Sequence, residues 1–248
     1  MRRLLLAFVI AMAGCGDGGD GAASSADPTE RPPLDSPPDP GNPPEADGLT
    51  TAQRDRLAAS TMRISGIACG RTSEGSGFAV ADDLVATNAH VVLGVPRPTI
   101  ETVDGAEQEG VVVAFDGVLD LALIRVPNAR FDPLPLSGEA PDGTVGAVFG
   151  WERGPEVDPT PFRVDRPVSV RIEEVAGTER ISRPSWLLAA EIEAGDSGAA
   201  AIDTDGNVIG VVHSASTLGR SVGYAVRADH LAEFIDRGVN QNLIVPSC

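Results

Sequence analysis

From residue 62 onward, short apolar runs alternate with polar positions, and a period of two predicts strands and not helices. The runs are Arg63–Ala68, Gly77–Val80, Leu84–Thr87, Gly110–Phe115, Leu119–Val126, Thr144–Phe149, Pro167–Glu173, Trp186–Ile192, Ala199–Ile202 and Val208–His213. Turn dipeptides such as Asp104-Gly105 and Asp205-Gly206 punctuate them, where glycine tolerates the backbone of a tight reversal. Many short strands without interleaved helices predict an all-β sandwich or barrel. Helices are expected only at the ends. Thr50 and Gln53 have the spacing of a capping box, with Leu57 to Met62 as apolar contacts. Leu231, Phe234 and Ile235 recur at helical spacing, and Gly238 follows as a stop.

The pattern is different before residue 49. Residues 16–48 hold almost no large apolar side chain and are crowded with Pro, Gly, Asp and Ser, so they cannot bury enough surface to fold. Such a proline-rich stretch is extended, at about 3 Å per residue, and acts as a spacer. Ahead of it, Arg2-Arg3, the apolar stretch Leu4–Ala13 and Gly14-Cys15 have the layout of an export signal, too short to span a membrane as a helix. Met12-Ala13-Gly14-Cys15 resembles the lipobox of bacterial lipoproteins, departing from it at Met12. The resemblance implies lipidation of Cys15 and tethering to a membrane. The expected organisation is therefore a signal peptide at 1–14, a lipidated cysteine and disordered linker at 15–48, and one folded domain at 49–248.

Composition narrows the partners. With 248 residues and 42% hydrophobic content the chain can build one sizeable core. A net charge of -17 argues against nucleic acid, whose phosphates need a basic surface. Three cysteines in an exported chain leave one over after pairing; Cys15 is the odd one, which predicts a Cys69–Cys248 disulfide in an oxidising compartment. No histidine or glycine-rich turn lies near Cys69 to activate it as a nucleophile.

The candidate chemistry lies in three short segments in the order His, Asp, Ser: Thr87-Asn88-Ala89-His90, Asp120-Leu121-Ala122-Leu123 and Gly195-Asp196-Ser197-Gly198. A hydroxyl, an imidazole and a carboxylate are the parts of a nucleophilic triad, in which a base orients on a third group and activates a weak nucleophile. Asp116 competes with Asp120 for the acidic place, but Asp116-Gly117 reads as a turn, and His230 has no supporting neighbours.

These segments resemble the chymotrypsin-like serine proteases, and more narrowly the bacterial trypsin-like peptidases related to HtrA. The resemblance covers about residues 60–237 and rests on three blocks: Gly75-Ser76-Gly77-Phe78 with Leu84 to Val92, Asp120 to Arg125, and Ala194 to Gly198. It implies two six-stranded antiparallel β-barrels with the site at their junction, which with the short N-terminal helix and the C-terminal helix read above complete the expected all-β fold. Ser197 would be the nucleophile, His90 the base and Asp120 its orienting partner, with the N–H groups of Gly195 and Ser197 as an oxyanion hole. A peptide or protein substrate is implied, and no cofactor or metal. The family's PDZ domain is not expected after the last helix. Ala199 stands where a second glycine is common. No Ile-Val-Gly-Gly start is present to supply an amine for Asp196, so Arg183 or Arg63 is the expected cation there.

Specificity gives opposed signals. By the resemblance, Glu191 can line the floor of the primary pocket and favour a basic residue, whereas His213 stands on a pocket wall where acid-specific members use histidine. Glu191 and Glu193 flank Ile192, so both acids can equally face solvent. Two other function classes make different demands on the sequence. An ester hydrolase of the α/β type needs glycine at Ala199 and the triad order Ser, Asp, His. A catalytically silent lipoprotein on the same fold, acting as a binding module, is the alternative.

Overall fold

The computed structural model describes residues 39–151, 157–215, 221–240 and 243–247. Helix α1 (Thr51–Ala59) leads into strands β1 (Thr61–Ala68), β2 (Arg71–Ala81), β3 (Leu84–Thr87), β4 (Thr99–Thr102), β5 (Glu107–Glu109), β6 (Val111–Asp116) and β7 (Leu121–Arg125). A second set follows: β8 (Val145–Phe149), β9 (Thr160–Glu173), β10 (Arg180–Ala189), β11 (Ala200–Asp203), β12 (Val208–Ala215) and β13 (Val222–Arg227), then helix α2 (Ala228–Asp236).

The second set closes into a six-stranded barrel in the order β10-β13-β12-β11-β8-β9. The first forms a seven-stranded sheet in the order β5-β4-β1-β2-β3-β7-β6. Its two outer strands, β5 and β6, are separated in the chain only by Gly110. They are the halves of one bent strand, so the sheet returns on itself. Hydrogen bonds from Gly110 N–H to Pro98 O (2.9 Å) and from Val112 N–H to Pro96 O (3.1 Å) close the gap. Glycine is required at the bend, because a Cβ on Gly110 would lie 2.3 Å from Ile124 Cγ2.

Alternate residues of the same strand serve two cores. Met62, Ile64, Ala79, Val85, Ala122 and Ile124 fill the first barrel. Their neighbours Phe78, Leu84, Leu121 and Leu123 point the other way, meeting Phe149, Ile202, Leu231 and Phe234 in a core shared with the second barrel and α2. Val148, Phe162, Trp186, Leu188 and Ile209 fill the second barrel. This double burial explains why β3 and β7 read as continuous apolar runs, and each such side chain contributes about 1.5–3 kcal/mol by leaving water.

The expected capping box is present: Gln53 N–H donates to Thr50 Oγ1, and Thr50 N–H donates to Gln53 Oε1 at 2.9 Å. The helix stops at Ala59, however, so Met62 belongs to β1 and the first barrel. At the other end Gly238 has φ +81, the left-handed conformation a helix stop uses, and its N–H caps Ile235 O at 2.9 Å.

Residues 39–48, expected within the linker, are instead held against the domain. Arg163 of β9 donates to Pro40 O (2.7 Å) and Asn42 O (3.1 Å). Asp47 is 2% exposed, receives Arg54 at 2.8 Å and accepts Leu49 N–H at 2.9 Å. Burial pushes its carboxyl up, but the Arg54 and Leu49 hydrogen bonds outweigh that and hold it below the usual range. The composition gave no sign of this docking, because its partners are backbone carbonyls and one acid, not apolar side chains. The C-terminal segment returns to the first barrel, where Asn240 N–H meets Val113 O (2.7 Å) and Gly94 N–H meets Pro246 O (2.9 Å), with Leu243 and Val245 against its core.

Candidate active site

His90 begins a single 3-10 turn, His90–Val92, just beyond β3, and Asp120 immediately precedes β7, the neighbouring strand. Asp120 has φ +58, a conformation that costs most side chains but that Asp and Asn tolerate. Asn88 Nδ2 holds that backbone by donating to Asp120 O at 2.9 Å. The carboxylate meets His90 twice: Oδ1 accepts the His90 backbone N–H at 2.9 Å, and Oδ2 lies 2.8 Å from Nδ1. A carboxylate only accepts, so the imidazole proton sits on Nδ1 and leaves the Nε2 lone pair toward the cleft. Asp120 is buried at 3% side-chain exposure, whereas the His90 side chain is 37% exposed.

Arg183 of β10 reaches the same acid from the second barrel. Its side chain is 1% exposed and places Nη1 3.4 Å from Asp120 Oδ2. Nε donates to Val118 O (2.9 Å) and Nη2 to Gly117 O (3.3 Å). Val175 N–H also donates to Gly117 O, at 3.1 Å. The hairpin of β9 and β10 therefore grips the loop that carries Asp120. This overturns the expectation that Arg183 or Arg63 serves Asp196, because Arg183 is committed to Asp120 and Arg63 pairs with Glu74 and Glu101. Asp196 is 1% exposed; its Oδ2 accepts Glu193 N–H at 2.9 Å. A Cβ on Gly150 would lie 2.0 Å from Asp196 Oδ1, so glycine there is what admits the acid.

His213 lies beneath the site. Arg183 Nη1 lies 3.5 Å from His213 Nδ1, Ser214 Oγ lies 3.0 Å from the same nitrogen, and Ser185 Oγ lies 3.0 Å from Nε2. Arginine can only donate, so Nδ1 is the acceptor and Nε2 carries the proton. Burial, reinforced by the Arg183 charge, lowers its pKa to about 3, and the ring is neutral at physiological pH. Glu191 lies elsewhere, in a cleft lined also by Pro43, Pro44, Asp158, Pro161 and Glu193. Ile192 turns inward between the two acids, and a Cβ on Gly223 would lie 2.6 Å from its Cγ1. His230, for its part, lies on α2, with Nδ1 3.7 Å from Glu233.

Ser197 stands half-buried where the second barrel meets β2. Ser76 N–H donates to Ser197 O at 2.8 Å, and Gly198 N–H donates to Val212 O at 2.8 Å. Gly75 separates the serine from the histidine turn, since a Cβ there would lie 2.6 Å from Val91 Cγ2 and 2.8 Å from Ser197 O. Gly198, at φ +87, lies so close to β2 that a Cβ would approach Ser76 O to 2.1 Å. Gly195 has φ +112. The chain thus brings His90, Asp120 and the Ser197 backbone to one junction. Among the described residues Ser197 Oγ makes no hydrogen bond to His90.

Ser76 and Asn88 are participants that the sequence marks only by a polar residue between two glycines and another just before the histidine. Cys248 lies outside the described residues, as do Cys15 and residues 1–38.

Comparison with known proteins gives a consistent relationship. Residues 75–211 match the trypsin-like peptidase domain family. The chain is 33% identical over 177 residues to the serine protease Rv3671c of Mycobacterium tuberculosis, covering 70% of this chain and 44% of that protein. It is also 33% identical over 183 residues to the mitochondrial serine protease HTRA2 of Bos taurus, covering 68% of this chain and 37% of that protein. The chain therefore spans less than half the length of these curated relatives. In structure it resembles the active form of the Rv3671c protease, with a TM-score of 0.77, 29% identity and coverage of 90% of this chain and 98% of the other. With two barrels meeting at a histidine–aspartate pair beside a Gly-Asp-Ser-Gly turn, the chain belongs to the trypsin-like peptidase family, among the relatives of the HtrA serine proteases.

Proposed function

We propose that the chain is a serine endopeptidase in which Ser197 attacks the peptide bond, His90 is the general base and Asp120 orients it. The observation that carries this reading is the two-point seat of Asp120 on His90, which fixes both the ring and its tautomer. Ser197 Oγ adds to the scissile carbonyl carbon while its proton passes to His90 Nε2. The N–H groups of Gly195 and Ser197 stabilise the oxyanion, a contribution on the order of 10²–10³ in rate per donor. Collapse expels the amine, which takes the proton from His90, and water then repeats the sequence on the acyl-enzyme. The serine–histidine contact is often long or misaligned in unliganded sites and shortens when substrate binds. A binding module without catalysis is disfavoured, since it has no use for an oriented imidazole.

A fluorophosphonate probe followed by peptide mapping tests the reading. One adduct on the peptide containing Ser197 is the expected result; folded protein that stays unlabelled overturns it.

We further propose that the domain is held at a bacterial envelope membrane, tethered through Cys15, with Cys69 and Cys248 joined. Sequence alone supports the tether. The bridge is supported by Cys69 being engaged and not free, and by the path of the tail. Gly66 of β1 packs on Val95, beside the Gly94 that holds Pro246. The intact mass of detergent-extracted protein reads both features. The expected species begins at Cys15 with acyl groups attached and takes up no iodoacetamide before reduction. A chain without acyl mass rejects the tether, and alkylation without reductant rejects the bridge.

A further inference from the structure

We infer that Ser76 is a positioning residue that sets the oxyanion-binding backbone, a role resting on the endopeptidase reading above. Ser76 is fully buried at 0% exposure and touches the serine turn from β2 by two routes. Its hydroxyl donates to Gly195 O at 2.7 Å, and its backbone N–H donates to Ser197 O at 2.8 Å. A third group fixes the direction of the hydroxyl: Trp151 N–H donates into Ser76 Oγ at 2.8 Å, so the hydroxyl proton is left for Gly195. Thr87 Oγ1 donates to Ser76 O at 2.7 Å and anchors the whole residue to β3.

The peptide planes explain what this does. Gly195 O belongs to the 195–196 peptide and Ser197 O to the 197–198 peptide, so Ser76 pins the planes on either side of the one that carries Ser197 N–H. The other donor, Gly195 N–H, lies in the preceding peptide plane and is joined to the pinned carbonyl through the φ and ψ of Gly195 alone. Gly195 sits at φ +112 with no side chain to restrict it, so a hold on its carbonyl removes freedom that the flexible glycine would otherwise pass on to that N–H. Oxyanion donors act only within about 2.7–3.1 Å of the developing charge, and a misplacement of about 1 Å can cost on the order of 100-fold.

Ser76→Ala removes only the hydroxyl. It is expected to lower kcat by about 10- to 100-fold with KM changed less than about threefold. Affinity for a peptide boronate, which needs the oxyanion donors, should weaken in step with kcat/KM. A purely structural role would lower Tm and leave kcat and boronate affinity at the level of the parent, and that result overturns the proposal. Should Ser76→Ala fold poorly, Ser76→Cys keeps the volume with a weaker donor and is expected to show the same split. The amide resonance of Gly195, followed by NMR in the Ser197→Ala protein, gives a reading independent of turnover. Adding Ser76→Ala should shift or broaden it, and an unchanged resonance counts against the proposal. Failure of fluorophosphonate labelling on the parent protein rejects the nucleophile and leaves this backbone measurement standing.

Discussion

Ser197→Ala is expected to cut kcat/KM on a cleavable peptide by about 10³- to 10⁶-fold while the protein stays folded and keeps its affinity for peptide. The substitution deletes one atom from a half-buried side chain, and no hydrogen bond from that atom holds the fold among the described residues. What Ser197 contributes structurally comes from its backbone: its carbonyl accepts Ser76 N–H, and that bond survives. The stability change should lie within about 0.5 kcal/mol, as for substitutions away from a core or a polar network. A residual rate above that of water is also expected, because the oxyanion donors and the cleft remain. Steady-state kinetics beside a thermal melt check both halves. Retention of activity within tenfold would remove the nucleophile from the scheme.

Asp120→Asn should combine two losses that Ser197→Ala does not. The amide presents an N–H₂ as well as an oxygen, which permits the His90 tautomer with its proton on Nε2, where it cannot take the serine proton. A rate loss of about 10⁴-fold is the expected scale for that error. The second loss is electrostatic. Arg183 is 1% exposed and faces Asp120 Oδ2 at 3.4 Å, so neutralising the acid leaves a buried guanidinium without its nearest counter-ion and with only the weaker influence of Asp116. Breaking a buried pair from one side costs about 3–5 kcal/mol, here softened by the carbonyls of Gly117 and Val118 that Arg183 also holds. A melt showing Asp120→Asn clearly less stable than Ser197→Ala supports this account, and equal stability of the two contradicts the Arg183 contribution.

Most of the strands were legible because each shows two-residue alternation or a short apolar run between turn residues. β3 was read at its observed limits, Leu84–Thr87, and β8 and β11 within one residue at each end. Three strands were missed for identifiable reasons. β4 (Thr99–Thr102) has Ile100 alone as a large apolar side chain, and β5 (Glu107–Glu109) is wholly polar and pairs only with β4. β13 carries Gly223, usually a mark against a strand, because the inward Ile192 occupies the space a Cβ would need. The two barrels were recoverable from the family's three blocks, and the two helices from the Thr50–Gln53 capping box and the helical spacing of Leu231, Phe234 and Ile235. Those blocks also nominate the histidine, aspartate and serine of the proposed triad, whose motif neighbours are close in sequence. The contacts of Arg183, Ser76 and His213 were not legible, since each depends on a partner from 28 to 119 positions away. Specificity stayed open in the sequence for the same reason: whether Glu191 or His213 faces a substrate is decided by what packs against them.

The tail that returns from α2 to the first barrel has a mechanical consequence. The chain leaves that barrel after β7, builds the second one, and then comes back through Asn240, Leu243, Val245 and Pro246. A strap of this kind turns an open tandem into a closed loop, in which the halves cannot hinge apart without peeling the strap off. Any motion that opened the cleft between them would thus have to break the Asn240 and Pro246 hydrogen bonds and expose Leu243 and Val245 as well.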